Sequence, residues 1–144
     1  MSETEMVVRL LLALAVGAAI GLERERRGRP AGLRTFILVA LGSCLYMLVG
    51  IYVAGANDRG DPGRVAAQVV TGIGFLGGGL LVRTGDTVRG LTTSAGIWAV
   101  AALGLAAGAG MYFITVVGTV LVLVVLAILR ELEAKYFKTK EENR

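Results

Sequence analysis

The sequence predicts an all-α, polytopic membrane protein: a bundle of about five transmembrane helices, with the N-terminus outside and the C-terminus inside. Three observations predict it. Of 144 residues, 55% are hydrophobic and 18% charged, with a mean hydropathy of +0.70. The charges are bunched, so several stretches long enough to cross a bilayer as helices carry almost none. Those stretches are apolar all round, whereas a helix of a soluble domain keeps a polar face.

The spans are expected, in order, at about Met6–Leu22, Leu33–Val53, Val65–Val82, Leu91–Ala107 and Met111–Leu129. The residues before the first are Ser2, Glu3, Thr4 and Glu5, acidic where a signal peptide carries positive charge, so the first span is read as retained. The intervening gaps leave no room for a soluble domain, so residues 1–130 form one transmembrane domain, with 131–144 a short cytoplasmic tail. In the tail, Glu131 and Lys135 stand at helical spacing. That fits a solvated helix end or a segment lying on anionic headgroups.

Basic residues set the orientation. Arg24, Arg26, Arg27, Arg29 and Arg34 flank the first gap, Arg83 and Arg89 the third, and Arg130, Lys135, Lys138, Lys140 and Arg144 follow the last span. Only Arg9, Arg59 and Arg64 remain for the other side. Lys and Arg collect on the cytoplasmic face, which places these three segments inside. A pI near 9.6 then reflects topology, and no nucleic-acid partner is expected.

Several chemistries are excluded. There is no His, and the single Cys44 allows neither an internal disulfide nor a thiolate cluster. No lysine precedes Lys135, which removes a lysine-bearing phosphate loop and the Asp-Lys-Thr motif of a phosphorylated pump. No Asp or Glu lies deep within a span, whereas proton-coupled carriers bury one. The protein is therefore expected not to be an enzyme and to need no cofactor.

Two segments carry the interest. Gly72-Ile73-Gly74-Phe75-Leu76-Gly77 matches the dinucleotide pattern G-x-G-x-x-G, but it lies inside an apolar span, with Thr92 rather than an acid about twenty residues on. Its glycines instead serve close helix approach: Gly74/Gly78 has G-x-x-x-G spacing, as do Gly17/Gly21 and Gly104/Gly108. Gly17, Gly21, Gly72, Gly74, Gly77, Gly78, Gly104 and Gly108 are the expected packing positions, within one subunit, between subunits or along an unwound substrate path. The second segment is the first turn, GLERERRGRPAGLRT from Gly21 to Thr35. Its charge fits boundary anchoring with internal salt bridges. It also fits a site where Glu23 and Glu25 meet a cation such as Mg²⁺, or where the arginines meet phosphate or headgroups.

That first turn, together with VVTGIGFLGGG from Val69 and VRGLTTSAGIWAVAALG from Val88, resembles the membrane domain of the MgtC/SapB family from about Leu10 to Leu129. The resemblance implies a bacterial inner-membrane protein of Mg²⁺ homeostasis or transport. Some members are virulence factors, and a separate transporter or the membrane ATP synthase is implied as a partner. Larger members append a soluble C-terminal domain not expected here. The family pattern falls on Gly21, Glu23, Arg24, Glu25, Pro30, Gly32, Arg34, Thr35, Gly72, Gly74, Gly77, Gly90, Leu91, Thr92, Thr93 and Trp98; at Gly78 alanine is usual.

Two functions are carried: a regulatory or partner-binding protein without catalysis, and an ion or solute transporter in its own right. A homo-oligomer is expected, because three small-residue pairs exceed what one small bundle needs. Finally, Gly21–Thr35 set over Gly79–Thr93, an offset of 58, matches Gly21/Gly79, Leu22/Leu80, Gly32/Gly90, Leu33/Leu91 and Thr35/Thr93 without a gap. A parallel duplication would superpose spans one and two on three and four. It would gather Thr35, Thr92 and Thr93 near Arg34 in a polar pocket at the cytoplasmic edge, beside Glu23, Arg24 and Glu25, suited to an anionic headgroup or phosphate. Metal ligands are left unassigned.

Overall fold

The structure is a computed structural model, and it describes residues 1–56 and 60–129. The tail expected at 131–144 lies outside the described residues. Helix α1 (Glu3–Arg26) starts where the Ser2 hydroxyl accepts from the Glu5 N–H at 3.2 Å, an N-cap that satisfies one of the orphan donors of the first turn. Acids in that turn and Arg24 and Arg26 in the last complement the helix dipole. Helix α2 spans Leu33–Ala56. In α3 (Pro62–Gly79), Asp61 caps through Gly63 N at 2.8 Å and proline occupies the first position. Helices α4 (Leu91–Gly108) and α5 (Tyr112–Val124) follow, and α5 runs into a π-helical turn at Val125–Leu129.

Between α3 and α4 the gap read as a plain loop is an antiparallel hairpin. β1 (Val82–Thr84) pairs with β2 (Thr87–Arg89) around Gly85 and Asp86, with Val82 opposite Arg89. Gly90, which joins β2 to α4, has φ 95°, a left-handed conformation that only glycine adopts without strain.

Helices α1, α2 and α4 pack on one another at the centre, α3 leans on α2 and α4, and α5 on α4 and α1. The core is made of Ala13, Val16 and Ile20 with Phe36, Ala40, Cys44, Ile97, Val100 and Ala107. Its closest approaches are at glycine. A Cβ on Gly17 would stand 2.6 Å from Ile37 Cα, one on Gly21 2.8 Å from Leu33 Cα, and one on Gly108 2.7 Å from the Cys44 carbonyl oxygen; one on Gly104 would strike the Ala40 carbonyl. The two outer G-x-x-x-G pairs thus set both α1 and α4 against the backbone of α2.

The third stripe behaves differently. A Cβ at Gly72, Gly74 or Gly78 would meet nothing within 4 Å, and only Gly77 is buried, against Ser94 at 3.6 Å. Within this chain these three glycines pack no helices together: Gly74 and Gly78 lie on the side of α3 that turns away from α2, and Gly72 borders open space between α3 and α2.

Among the described residues four helices are long and apolar enough to cross a membrane: α1, α2, α4, and α5 with its π turn. Helix α3, the remaining expected span, is 18 residues long but carries Arg64, Gln68 and six glycines, which holds its hydropathy below that of the others. Most large side chains outside the core are exposed, among them Leu38, Tyr52, Phe75 and Phe113. An apolar surface of this extent suits lipid, not water.

The offset of 58 sets the first residue of α3 on Thr4, the second residue of α1, and the first residue of α4 on Leu33, the first of α2. Helix α2 faces α4, α1 packs on α4 and α3 packs on α2, as a twofold between α2 and α4 requires. The halves part at the turns. Helix α1 continues five residues beyond Gly21, whereas α3 stops at Gly79 and the hairpin replaces the extra turn of helix.

Candidate functional site at the first turn

Helix α1 ends in a motif that exposes its charges in a fixed order. Gly28, at φ 61°, reverses the chain; its N–H donates to the Glu25 carbonyl at 2.9 Å, and the Arg29 N–H donates to the Arg24 carbonyl at 3.1 Å. This Schellman pairing satisfies two end carbonyls of the helix, and Pro30 blocks its continuation.

The acidic pair is used internally. Glu23 bridges Arg24 and, at 2.6 Å, Arg27. The Glu25 carboxylate folds back over Gly32 and accepts from Leu33 N at 2.7 Å, capping α2 from a neighbouring helix. Among the described residues no group of three or more His, Cys, Asp or Glu is arranged to hold a metal ion.

Arg24 is 1% exposed. Its Nη2 donates to the Leu126 carbonyl at 3.2 Å, and Arg27 Nη2 donates to the Ala127 carbonyl at 3.5 Å. Both acceptors belong to the π turn, where the i→i+5 pattern re-aims carbonyls. Arg24 therefore fastens α1 to α5, which leaves it closed to an external ligand.

Beyond these contacts lies a polar cavity of about 410 Å³, lined by Glu25, Gly28, Arg29, Pro30, Gly32, Arg34 and Thr35. Arg34 and Thr35 occupy the exposed first turn of α2, and the buried Nε of Arg29 has no hydrogen-bond partner among the described residues. Two guanidinium groups at a helix N-terminus favour an anion.

Of the expected site residues, Glu25, Arg34 and Thr35 line this cavity, while Glu23 and Arg24 stand behind it in the ion-pair network. Thr92 and Thr93 do not line it. Thr93 is buried in the third position of α4 and Thr92 is exposed, so the cavity belongs to the first turn alone. Arg29 was missed as a lining residue, although its place just after the Schellman glycine was legible.

Arg9 was read only as a charge on the outer side. It is 9% exposed, paired with Glu5, and donates from Nη1 to the Gly108 carbonyl at 2.7 Å. A Cβ on Gly110, at φ 78°, would lie 2.7 Å from Nη2, so that glycine makes room for the guanidinium.

Comparison with known proteins identifies relatives of this chain. The chain is 45% identical over 133 residues to the Escherichia coli K12 protein named "Putative magnesium transporter YhiD", covering 89% of this chain and 62% of that one. It is 42% identical over 125 residues to protein MgtC of Salmonella typhimurium strain 14028s, covering 87% and 52%. A Haemophilus influenzae protein is 42% identical over 143 residues, covering 94% and 60%. The chain thus spans between half and two thirds of the length of these relatives. No solved structure matches. The profile of the MgtC family matches residues 10–135, and the chain belongs to the MgtC family.

Proposed function

We propose that this chain is a non-enzymatic protein of the bacterial inner membrane that serves Mg²⁺ homeostasis by binding partners, with the first turn on the cytoplasmic side. The observation that carries the reading is the state of the first-turn acids. Glu23 is held by two arginines and Glu25 by the α2 N-terminus, while the adjoining cavity presents Arg29 and Arg34. A carboxylate so engaged is a poor ligand for a cation that prefers oxygen and water. An arginine-lined cavity instead supports recognition of a phosphate-bearing group on a lipid or on a partner such as a transporter or the ATP synthase.

Reconstitution in liposomes loaded with a Mg²⁺-sensitive dye tests this. The expected result is no Mg²⁺ flux above empty liposomes, with capture of a membrane partner that Arg34→Gln weakens. The second reading, transport by the chain itself, is favoured by the name of the E. coli relative. Flux that disappears in Glu23→Ala would establish it and overturn the first. Labelling of an Arg26→Cys variant by an impermeant reagent from outside intact cells would overturn the orientation.

A homo-oligomer belongs to the same proposal. Gly74 and Gly78 have open space beside them and Phe75 is 85% exposed. A glycine costs about 1 kcal/mol relative to alanine inside a helix, a cost that close approach of a second copy offsets.

A further inference from the structure

Helices α2 and α3 touch at the end where the chain passes from one to the other: a Cβ on Gly50 would stand 3.2 Å from Val65 Cγ2 and 3.5 Å from Pro62 Cα. Farther along they enclose a groove of about 760 Å³ lined by both helices. Gly42 and Gly72 line it, and neither has a neighbour within 4 Å of its Cβ position. The groove is open on its outer side, where Leu38, Tyr46 and Leu76 are 68%, 61% and 50% exposed.

Its polarity is graded. Counting turns from the Gly50–Val65 contact, Arg64 and Gln68 of α3 come first, with Tyr46 of α2. Ser43 comes next, and Val39, Leu38, Ile73 and Leu76 complete the far end. Ser43 is 2% exposed, yet its Oγ has no hydrogen-bond partner among the described residues. A buried hydroxyl is ordinarily paired, and leaving it unpaired is costly. Among the described residues no carboxylate pairs with Arg64.

From Arg64 to Leu76 the groove runs about 18 Å at the α-helical rise, close to one leaflet of a hydrocarbon core about 30 Å thick. A cation and an amide at one end, a hydroxyl part-way and aliphatic walls beyond match an amphiphile with an anionic head and one long chain. Its volume lies in the range of small-molecule sites, roughly 300–1,000 Å³.

We infer that this groove is a binding site for one anionic phospholipid, its phosphate on Arg64 and Gln68 and one acyl chain laid along Gly42, Gly72 and Ile73. The acyl chain covers the glycine floor, and ester oxygens of the glycerol region come within reach of Tyr46. The occupant also covers the groove side of α3, the one helix of the five that falls short of a membrane span by its own composition, so lipid joins α2 and α4 in holding α3 in the bilayer. This site is separate from the first-turn cavity, and the lipid reading stands whether or not the chain transports Mg²⁺.

The test uses the full-length chain, delipidated in detergent and titrated with dioleoylphosphatidylglycerol under native mass spectrometry. A second arm uses phosphatidylglycerol carrying a diazirine on its acyl chain, with the labelled residues mapped by proteolysis. One tightly retained lipid per chain is expected, with labelling concentrated on Leu38, Val69 and Ile73. Arg64→Gln should weaken retention about tenfold, the effect of losing a hydrogen bond to a charged group. Gly72→Leu, which fills the floor, should abolish retention, and Gly74→Leu, which does not line the groove, should leave it intact. The label needs no substitution, so it decides the matter even if Gly72→Leu fails to fold. Labelling spread evenly over the exposed faces of α1 and α5 would overturn the proposal, as would unchanged retention in Arg64→Gln. Groove residues that crosslink to a second copy instead of lipid would also overturn it.

Discussion

Replacing Gly17 by alanine tests the close packing of α1 on α2 and has a sign that helix propensity alone would get wrong. The added Cβ would lie 2.6 Å from Ile37 Cα, 2.7 Å from the Phe36 carbonyl oxygen and 3.0 Å from Ile37 N. All three are backbone atoms of α2, so no side chain can swing aside, and the helices must separate by about 1 Å to restore ordinary contact. Overpacking of this kind costs about 1–3 kcal/mol; a backbone obstacle belongs at the upper end. Alanine recovers about 1 kcal/mol of helix propensity, which leaves a net loss of about 2 kcal/mol, or roughly thirtyfold in the folding equilibrium. Gly78→Ala is the matched control, because within one chain nothing lies within 4 Å of its Cβ position, and at a detergent dilution that keeps copies apart only the propensity gain remains. Unfolding by sodium dodecyl sulfate in mixed micelles, followed by circular dichroism, measures both. If Gly17→Ala proves as stable as Gly78→Ala, the glycine approach does not hold α1 to α2 and the packing argument fails.

Arg24→Met removes the guanidinium shared by Glu23 and Leu126 and should destabilise by about 3–5 kcal/mol, the cost of breaking a buried pair from one side; Glu23→Gln added to it should recover part of that loss in the same unfolding assay. Glu25→Ala should cost about 1 kcal/mol, the worth of an N-cap, while Glu25→Gln, which keeps an acceptor for Leu33 N, should cost a few tenths; equal losses would show that charge matters here and the cap does not. Gly90→Ala should cost more than about 1–2 kcal/mol, since its left-handed φ is strained for a side chain and the added Cβ would strike the Leu80 carbonyl oxygen. Crosslinking in native membranes should yield dimers or larger species that Gly74→Leu reduces, and monomer alone in the unmodified protein would refute the oligomer.

The spans were legible because a bilayer demands long apolar helices, and Leu33 and Leu91 could be read as helix starts from the glycine before each. The first helix was read as ending at Leu22, at the first charges, but α1 continues to Arg26. Its arginines and glutamates pair along one helix face and with the π turn, and pairing across about 100 residues of sequence has no local signature. The hairpin at 82–89 had a signal, the β-branched V-R-T and T-V-R on either side of the turn pair Gly-Asp, which an all-helical expectation passed over. Among the glycines, spacing was identical in all three pairs and did not distinguish those against a backbone from those beside open space. That difference depends on how α3 is rotated, which the local sequence does not encode.

The two buried guanidiniums of α1 bear on how the protein is made. Arg9 and Arg24 are about 22 Å apart along the helix; besides Glu5 and Glu23 of α1 itself, their partners are the carbonyl of Gly108, the last residue of α4, and that of Leu126, in the π turn that follows α5. The first helix to leave the ribosome thus carries two charges that later segments cover, Arg9 at the end of α4 and Arg24 at the π turn. Until α5 and its π turn have been synthesised and docked, Arg24 has only Glu23 of its own helix to pair with, and the earlier helices are an incomplete assembly in the membrane. Helix α5 buries only Thr115 along its regular turns, so it adds little to the core. Its part is to complete the biogenesis of a chain whose first segment cannot settle without it.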